Sequence, residues 1–509
     1  MNNKSYKLTK TKIMSGHQCE KKLWFDIHET KESEVNNILL RGYLFEEEVK
    51  KIYSKDQNVL NLPSKEEEWI KSKEKTEQAI NSKDINVIFE GVFIFFDTYI
   101  RPDILIRKNK GWELLEIKSS GELKNYHITD LAIQSYILKK LGINLTSIKL
   151  IHVNKNFIFK TERDYRDLSL EIDVTNQVVE KEKEIPNLIK KLLPLTKESP
   201  CPNIKIGDHC NEPHECDYID RCKPKSNIIS YEMLPGRIKG TKIEKYCKAN
   251  EIKKLEDVPA DLLNENQKKI QKCHKENIIL LDHEILSYEF KDLTWPIYFM
   301  DFETVQQVVP KIKETKPFTP LPFQWSVHKW SSLDEKIKIN DANWFLEFLD
   351  QNIERKFAES LLNELGDEGT IFIHSPYEKI ILKNLMKKDS CKDLENKINK
   401  LEPRILDSEK IVKKGFYDPT MKGKYSLKVI NKVIPISDIS YEKKDNIVSG
   451  NDAQLAWFIC TDPKTDEKEI ENQKKLLIDY CSKDTLAVYY LIKYLMEESK
   501  EMLEKKIND

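Results

Sequence analysis

The stretch WPIYFMDFET, Trp295 to Thr304, constrains this chain more than any other. An apolar and aromatic run suited to a buried strand leads straight into Asp301, Phe302 and Glu303. Successive side chains of a strand point to opposite faces, so Asp301 and Glu303 share one face and Phe302 takes the other. Two carboxylates on one face of a buried strand repel each other and lose hydration. Divalent cations, which favour hard oxygen ligands, would make such a pair tolerable.

The chain has 509 residues, too many for one ordinary core, so two or three domains are expected. Charged residues make up 33% and aromatics 9%, which describes a polar but folded protein rather than a disordered one. With a net charge of −1, a nucleic-acid partner must be held by local patches, not by the overall field. No stretch approaches the length of a membrane span. The basic N-terminus, MNNKSYKLTKTKIMSGHQCEKKLW, lacks the apolar core of a signal peptide, so a reducing, cytoplasmic setting is expected. In that setting ten cysteines are not first read as disulfides.

Three regions follow from the pattern of elements: an α/β domain over 1–225, a Lys-rich helical connector over 226–292, and a second α/β domain over 293–509. The first has helical signals at 33–55 and 64–82, a strand-rich stretch, a helix at 128–141 and the strand SIKLIHVN. The charge runs KEEEWIKSKEKTE and EESKEMLEKK read as solvated helix faces.

RPDILIR and WELLEIKSS read as neighbouring strands joined by a Lys-Asn-Lys-Gly turn. Asp103 lies on the first, and Glu116 and Lys118 share one face of the second. Two acids can hold a divalent metal, and the lysine can neutralise developing charge or position the attacking water. The plainer alternative is a surface hairpin of mixed charges. This Asp…Glu-x-Lys layout resembles the core of PD-(D/E)XK nucleases. The resemblance to their RecB-like branch adds Glu46 in RGYLFEEEVKKIY, which would complete the metal site, and Gln134 in DLAIQSYIL. The branch carries a QxxxY element, where this chain has Leu138 in the tyrosine position and Tyr136 nearby.

Cys210, Cys216 and Cys222 recur at even spacing in GDHCNEPHECDYIDRC, and Cys19 lies far upstream. Thiolates suit an iron–sulfur cluster or zinc, though the spacing departs from the CxxC pairs of zinc ribbons. One N-terminal cysteine and a three-cysteine group bracketing such a core resemble the iron–sulfur staple of RecB-like nucleases. That resemblance implies a [4Fe-4S] cluster on Cys19, Cys210, Cys216 and Cys222, with zinc as the alternative metal and Cys201 as a substitute ligand. Unligated buried thiols are the third possibility. Cys247, Cys273, Cys391, Cys460 and Cys481 are scattered and read as ordinary core or surface residues.

Near the other end, LLIDYCSKDTLAVYYLIKYL is amphipathic and helical, and puts Tyr480 and Asp484 four residues apart on one face. A strand DxE followed by a helical YxxxD resembles the first and last motifs of DnaQ-like 3′→5′ exonucleases of the RNase H fold. The resemblance implies that Asp301, Glu303 and Asp484 bind two Mg²⁺ or Mn²⁺ ions and that Tyr480 orients the attacking water. The third acid has two candidates: Glu378 in HSPYEKIIL, and Asp407 in EPRILDSEKIV, which could instead cap a helix.

Together YFMDFET, HSPYEK, GKYSLK and YCSKDTLA, behind the cysteine-bearing region, resemble a bacterial family of fused nucleases with a RecB-like domain before a DnaQ-like domain. The fold implied is a PD-(D/E)XK, restriction-endonuclease-like α/β domain, a helical connector and an RNase H-like α/β domain with a mixed sheet. The activity implied is metal-dependent trimming of DNA ends. RNA as substrate and a non-catalytic nucleic-acid scaffold with one decayed site are the alternatives. Aromatic and basic residues in RPDILIRKNKGW and FQWSVHKW are candidates for stacking bases and holding phosphates.

Overall fold

The computed structural model of the protein describes residues 8–29, 37–55, 57–63, 68–161, 164–197, 199–223, 228–434, 439, 441 and 447–508. The chain is α/β with mixed sheets. It forms two compact units, Met1–Lys225 with Gln307–Thr319, and Ser226–Gln306 with Pro320–Asp509.

The first unit is built on six strands paired in chain order. They are β1 (Val59–Asn61), β2 (Val87–Phe89), β3 (Ile104–Lys108), β4 (Gly111–Lys118), β5 (Leu145–Val153) and β6 (Ser169–Asp173). Helices α1 (Lys10–Gln18), α2 (Asn37–Ser54) and α3 (Asn125–Lys140) bear on the site. β4 runs parallel to β5, and α3 makes the crossover that such a pair requires. β4, GWELLEIK, is buried along most of its length because both faces are covered. Leu114 shares a core with Leu131 and Ile133 of α3. Leu115 and Ile117 share another with Phe45 and Val49 of α2. Alternation therefore sends Glu116 and Lys118 to the side of α3. The helices expected over 33–55 and 64–82 occur as α2 and as Trp69–Asn81; residues 33–36 and 64–67 lie outside the described residues.

The second unit is built on β7 (Ile297–Gln306), β8 (Pro320–Trp330), β9 (Asn343–Leu346), β10 (Thr370–Ile373) and β11 (Ile405–Asp407). Their order in the sheet is β9-β8-β7-β10-β11. β8 is antiparallel to β7, while β10 and β11 run parallel to it. Gly369 leads into β10 at a φ of 94°, where a Cβ would come within 2.1 Å of the Pro296 carbonyl oxygen. Only glycine fits so close an approach in that backbone region. Five further helices matter to the site: α4 (Tyr377–Leu385), α5 (Ser408–Gly415), α6 (Leu427–Ile430), α7 (Gly450–Thr461) and α8 (Glu467–Asn508).

The alternation of β7 divides two cores. Tyr298, Met300 and Phe302 pack with Ile381 and Leu382 of α4. Ile297 and Phe299 face the other way, with the Phe299 ring edge-on to Tyr489 of α8 at 5.5 Å. The region 228–292 holds helices Lys242–Ala249, Glu265–Glu276 and His283–Phe290. Its Tyr231, Ile270 and Leu286 belong to the same core as Phe299 and Trp330. The stacking surface expected from FQWSVHKW does not form: Phe323, Trp325 and Trp330 are core residues of β8. Trp112 is likewise buried, beneath the guanidinium of Arg107 at 4.1 Å. None of the described helices is long and apolar enough to cross a membrane.

Candidate functional site

Asp301 and Glu303 continue the β7 face that α8 covers. They lie opposite Ser326 and Gln324 of β8, and the register shifts immediately after Glu303. A bulge there re-aims the strand next to the acids. Asp484 arrives from α8, and one carboxylate oxygen from each of Asp301, Glu303 and Asp484 lies within 4.8 Å of the others. The group sits beyond the carboxyl ends of parallel β10 and β11, where open α/β sheets place their ligands.

Burial pushes the Asp301 and Glu303 carboxyls well above the usual range, and the neighbouring Asp484 and Glu378 push them further. Burial also raises Asp484, against the pull of Tyr441 and Lys428. Three acids held together at this cost are the residues that could hold a divalent cation, since their hard oxygens suit Mg²⁺ or Mn²⁺.

The two candidates for a third acid stand close by, outside that trio. Glu378, in the first turn of α4, accepts from the Ser375 hydroxyl at 3.3 Å, and burial raises its pKa to about 7. Asp407 caps α5: its Oδ1 accepts from the Glu409 and Lys410 amides at 3.0 and 3.3 Å. Its Oδ2 is buried with no hydrogen bond and lies 3.9 Å from Lys410 Nζ. Capping and ligation are thus compatible in Asp407, one oxygen for each.

Two residues near the trio were absent from the expected set. The Tyr441 hydroxyl donates to Asp484 Oδ1 at 2.6 Å. Lys428 Nζ, on α6, lies 5.4 Å from the Tyr441 ring centre and 5.5 Å from that of Tyr480, and donates to the Val448 carbonyl. It brings positive charge toward Glu303 and Asp484. Tyr480 bonds to Asp484 one turn along α8. Lys428 falls in GKYSLK, a segment singled out by resemblance; nothing local marks Tyr441.

In the first unit Glu116 is buried and accepts three hydrogen bonds. Its Oε1 accepts from Lys118 Nζ at 2.6 Å and from Lys10 Nζ at 2.7 Å, and its Oε2 accepts from Gln134 Nε2 at 2.7 Å. Asp103 Oδ2 accepts from the Ile117 amide at 2.7 Å. Burial and the charge of Glu116 push the Asp103 carboxyl well above its usual range. Glu46 does not join them in a tight group. It pairs with Lys50 at 2.5 Å and bonds to Glu90, which also binds Arg101. Among the described residues, no set of three acids here matches the spacing of the Asp301, Glu303 and Asp484 group.

Asp130 and Lys10 were missed. Asp130 sits one helical turn before Gln134 on α3, and its carboxylate binds Lys118 at 2.7 Å and Lys10 at 3.2 Å. An acid inside the apolar stretch ITDLAIQ was a legible signal for Asp130. Lys10 had none. Leu138, in the position of the motif tyrosine, is fully buried core, and Tyr136 packs against the same core.

Cys19, Cys210, Cys216 and Cys222 line one cavity together with Lys21, Lys22, Lys205 and Phe25, with about 290 Å³ of empty volume, part of it open to solvent. The Cys216 amide donates to the Cys210 carbonyl at 2.8 Å. All ten cysteines are free thiols, and no three of these sulfurs lie within 4.8 Å of one another. Cys201 is exposed and is not among the cavity residues. Cys247, Cys273, Cys391 and Cys481 are buried core residues.

Residues 298–426 match a domain of unknown function, DUF2779. The chain is 24% identical to the uncharacterized protein UU173 of Ureaplasma parvum serovar 3, over 45% of this chain and 36% of that one. It thus spans about a third of that relative's length. A solved structure, SSO0001, is similar over 34% of this chain and 85% of its own, at 15% identity and a TM-score of 0.13. These similarities carry no activity with them.

Proposed function

We propose that the protein is a metal-dependent nuclease with two sites that trims DNA ends, the second unit acting as a 3′→5′ exonuclease. The observation that supports this most is the group of Asp301, Glu303 and Asp484, with their oxygens within 4.8 Å and Tyr480 one turn from Asp484. The antiparallel–antiparallel–parallel–parallel order around β7 is consistent with an RNase H-like domain. Asp301, Glu303 and Asp484 would hold Mg²⁺ or Mn²⁺, with Asp407 Oδ2 and Glu378 as outer acids. Ions bound there supply an activated water and neutralise the departing oxygen. The residues do the rest. The Tyr480 and Tyr441 hydroxyls fix Asp484 from two directions. Lys428 brings an ammonium toward this acidic cleft, suited to a substrate phosphate.

In the first unit, the PD-(D/E)XK-like assignment rests on Asp103, Glu116 and Lys118, with Gln134 and Asp130 orienting Glu116 and Lys118. The four-cysteine cavity would hold an iron–sulfur cluster. Zinc, which thiolates also bind, is the alternative occupant. A brown protein absorbing at roughly 400 nm is the expected signature.

The test is digestion of 5′- and 3′-labelled DNA and matched RNA oligonucleotides with Mg²⁺ or Mn²⁺, using Asp301→Asn and Glu116→Gln separately and together. Loss of 3′-end shortening in Asp301→Asn supports the assignment of the second unit. An unchanged rate in the double variant rejects both sites. Binding of ends without shortening by the unaltered protein indicates a scaffold instead.

A further inference from the structure

Lys10 is the first residue of α1, capped by Thr9. It follows a two-residue strand, Leu8–Thr9, that pairs with Thr98–Ile100. Leu8 and Ile13 are fully buried on either side of it, so the backbone at Lys10 is anchored. Its ammonium reaches Glu116 Oε1 at 2.7 Å and Asp130 Oδ1 at 3.2 Å, with the side chain 18% exposed. Lys118 makes the matching bridge from the other side, at 2.6 Å to the same Glu116 oxygen and 2.7 Å to Asp130 Oδ2. Two ammonium groups therefore span the same two carboxylates.

A carboxylate oxygen has two lone pairs. Glu116 Oε1 has spent both on ammonium donors, and Oε2 has spent one on Gln134. Asp103 Oδ2 has spent one on the Ile117 amide. What remains is Asp103 Oδ1, one lone pair of Asp103 Oδ2 and one of Glu116 Oε2, a donor set drawn from two carboxylates and suited to one ion. Lys10 and Lys118 face Asp103, Glu116 and Asp130, with Glu90 also acting on Asp103 and Lys10 on Glu46.

We propose that Lys10 is a positioning residue that stands where a second divalent ion would otherwise bind, so that the N-terminal site takes one metal ion. This rests on the metal-dependent nuclease assignment of that site. The fixed ammonium holds Glu116 and Asp130 in place whatever the metal concentration. One ion then enters between Asp103 and Glu116.

The experiment is a Mn²⁺ titration of the full chain followed by electron paramagnetic resonance. Asp301→Asn, Glu303→Gln and Asp484→Asn together remove the trio of the second unit, so that bound Mn²⁺ reports the first. One Mn²⁺ per chain, abolished by adding Glu116→Gln, is expected. Adding Lys10→Met should admit a second Mn²⁺ or tighten the first at least tenfold, and Lys10→Arg should keep the stoichiometry at one. Should Lys10→Met fail to fold, Lys10→Gln removes the same charge with a polar end. Two Mn²⁺ ions with Lys10 intact, or no change on removing its charge, overturns the proposal. No Mn²⁺ with or without Lys10 overturns the metal-dependent assignment itself, which is a different failure. Mn²⁺ that survives Glu116→Gln lies elsewhere and also overturns the proposal.

Discussion

At the scale of single residues, the chemistry of this protein is that of crowded carboxylates. Asp301 is half-buried, and desolvation together with Asp484 and Glu378 acts against its charge, which therefore opposes folding. Asp301→Asn is expected to lower the rate of 3′-end shortening about 10²–10³-fold, since it removes a charge that acts on the transition state. In chelator the same variant should melt about 2–4 °C higher, the shift that ~1 kcal/mol gives a unit of this size. Thermal melts with EDTA and with Mn²⁺ check both signs. Glu378 gives a pH dependence. Burial, which opposes its charged form, raises its pKa from 4.5 to about 7 in the folded state. The folded state then holds a proton that the unfolded state has lost, so the stability is present below pH 4.5 and is lost as pH rises toward 7. Metal-free melting curves should fall across that window and flatten in Glu378→Gln.

At the scale of elements, the placement of Asp484 depends on the register of α8 against β8. A buried polar contact sets it. Thr485 Oγ1 meets His328 Nδ1 at 2.8 Å and Ser326 Oγ at 3.2 Å, while His328 Nε2 meets the Lys338 carbonyl at 3.1 Å. Burial lowers the His328 pKa to about 4, so the ring is neutral at ordinary pH and its tautomer donates to Lys338. Thr485→Val keeps the shape and removes the hydroxyl. It should cost about 1–3 kcal/mol, the penalty of an unsatisfied buried group, and lower exonuclease kcat by shifting the neighbouring Asp484. Chemical denaturation and single-turnover rates are the measurements. The helices themselves were legible, because apolar periodicity fixes which face of α3 or α8 is buried. The use of β8 was not. Its aromatic and basic residues suggested a nucleic-acid surface, and packing buried Phe323, Trp325 and Trp330 instead. A large aromatic side chain carries the same local signal in a core as in a stacking platform.

At the scale of the whole molecule, each candidate site is drawn from one compact unit: Lys10, Asp103, Glu116, Lys118, Asp130 and Gln134 from the first, and the acids around Asp301 from the second. Inactivating one should therefore leave the other working. Glu116→Gln should abolish only the products of the first unit and Asp301→Asn only 3′-end shortening, as read from product lengths on doubly labelled substrates. The sequence by itself determined the relations that a local period enforces. Asp301 shares a strand face with Glu303, and Glu116 with Lys118, because a strand repeats every two residues. Tyr480 lies one turn from Asp484 because a helix repeats every 3.6. Only the tertiary structure decided which distant groups meet. Lys10 reaches Glu116 across 106 residues, and Tyr441 reaches Asp484 across 43. The Lys10 and Tyr441 encounters depend on how sheets and helices pack, and no periodicity along the chain encodes them.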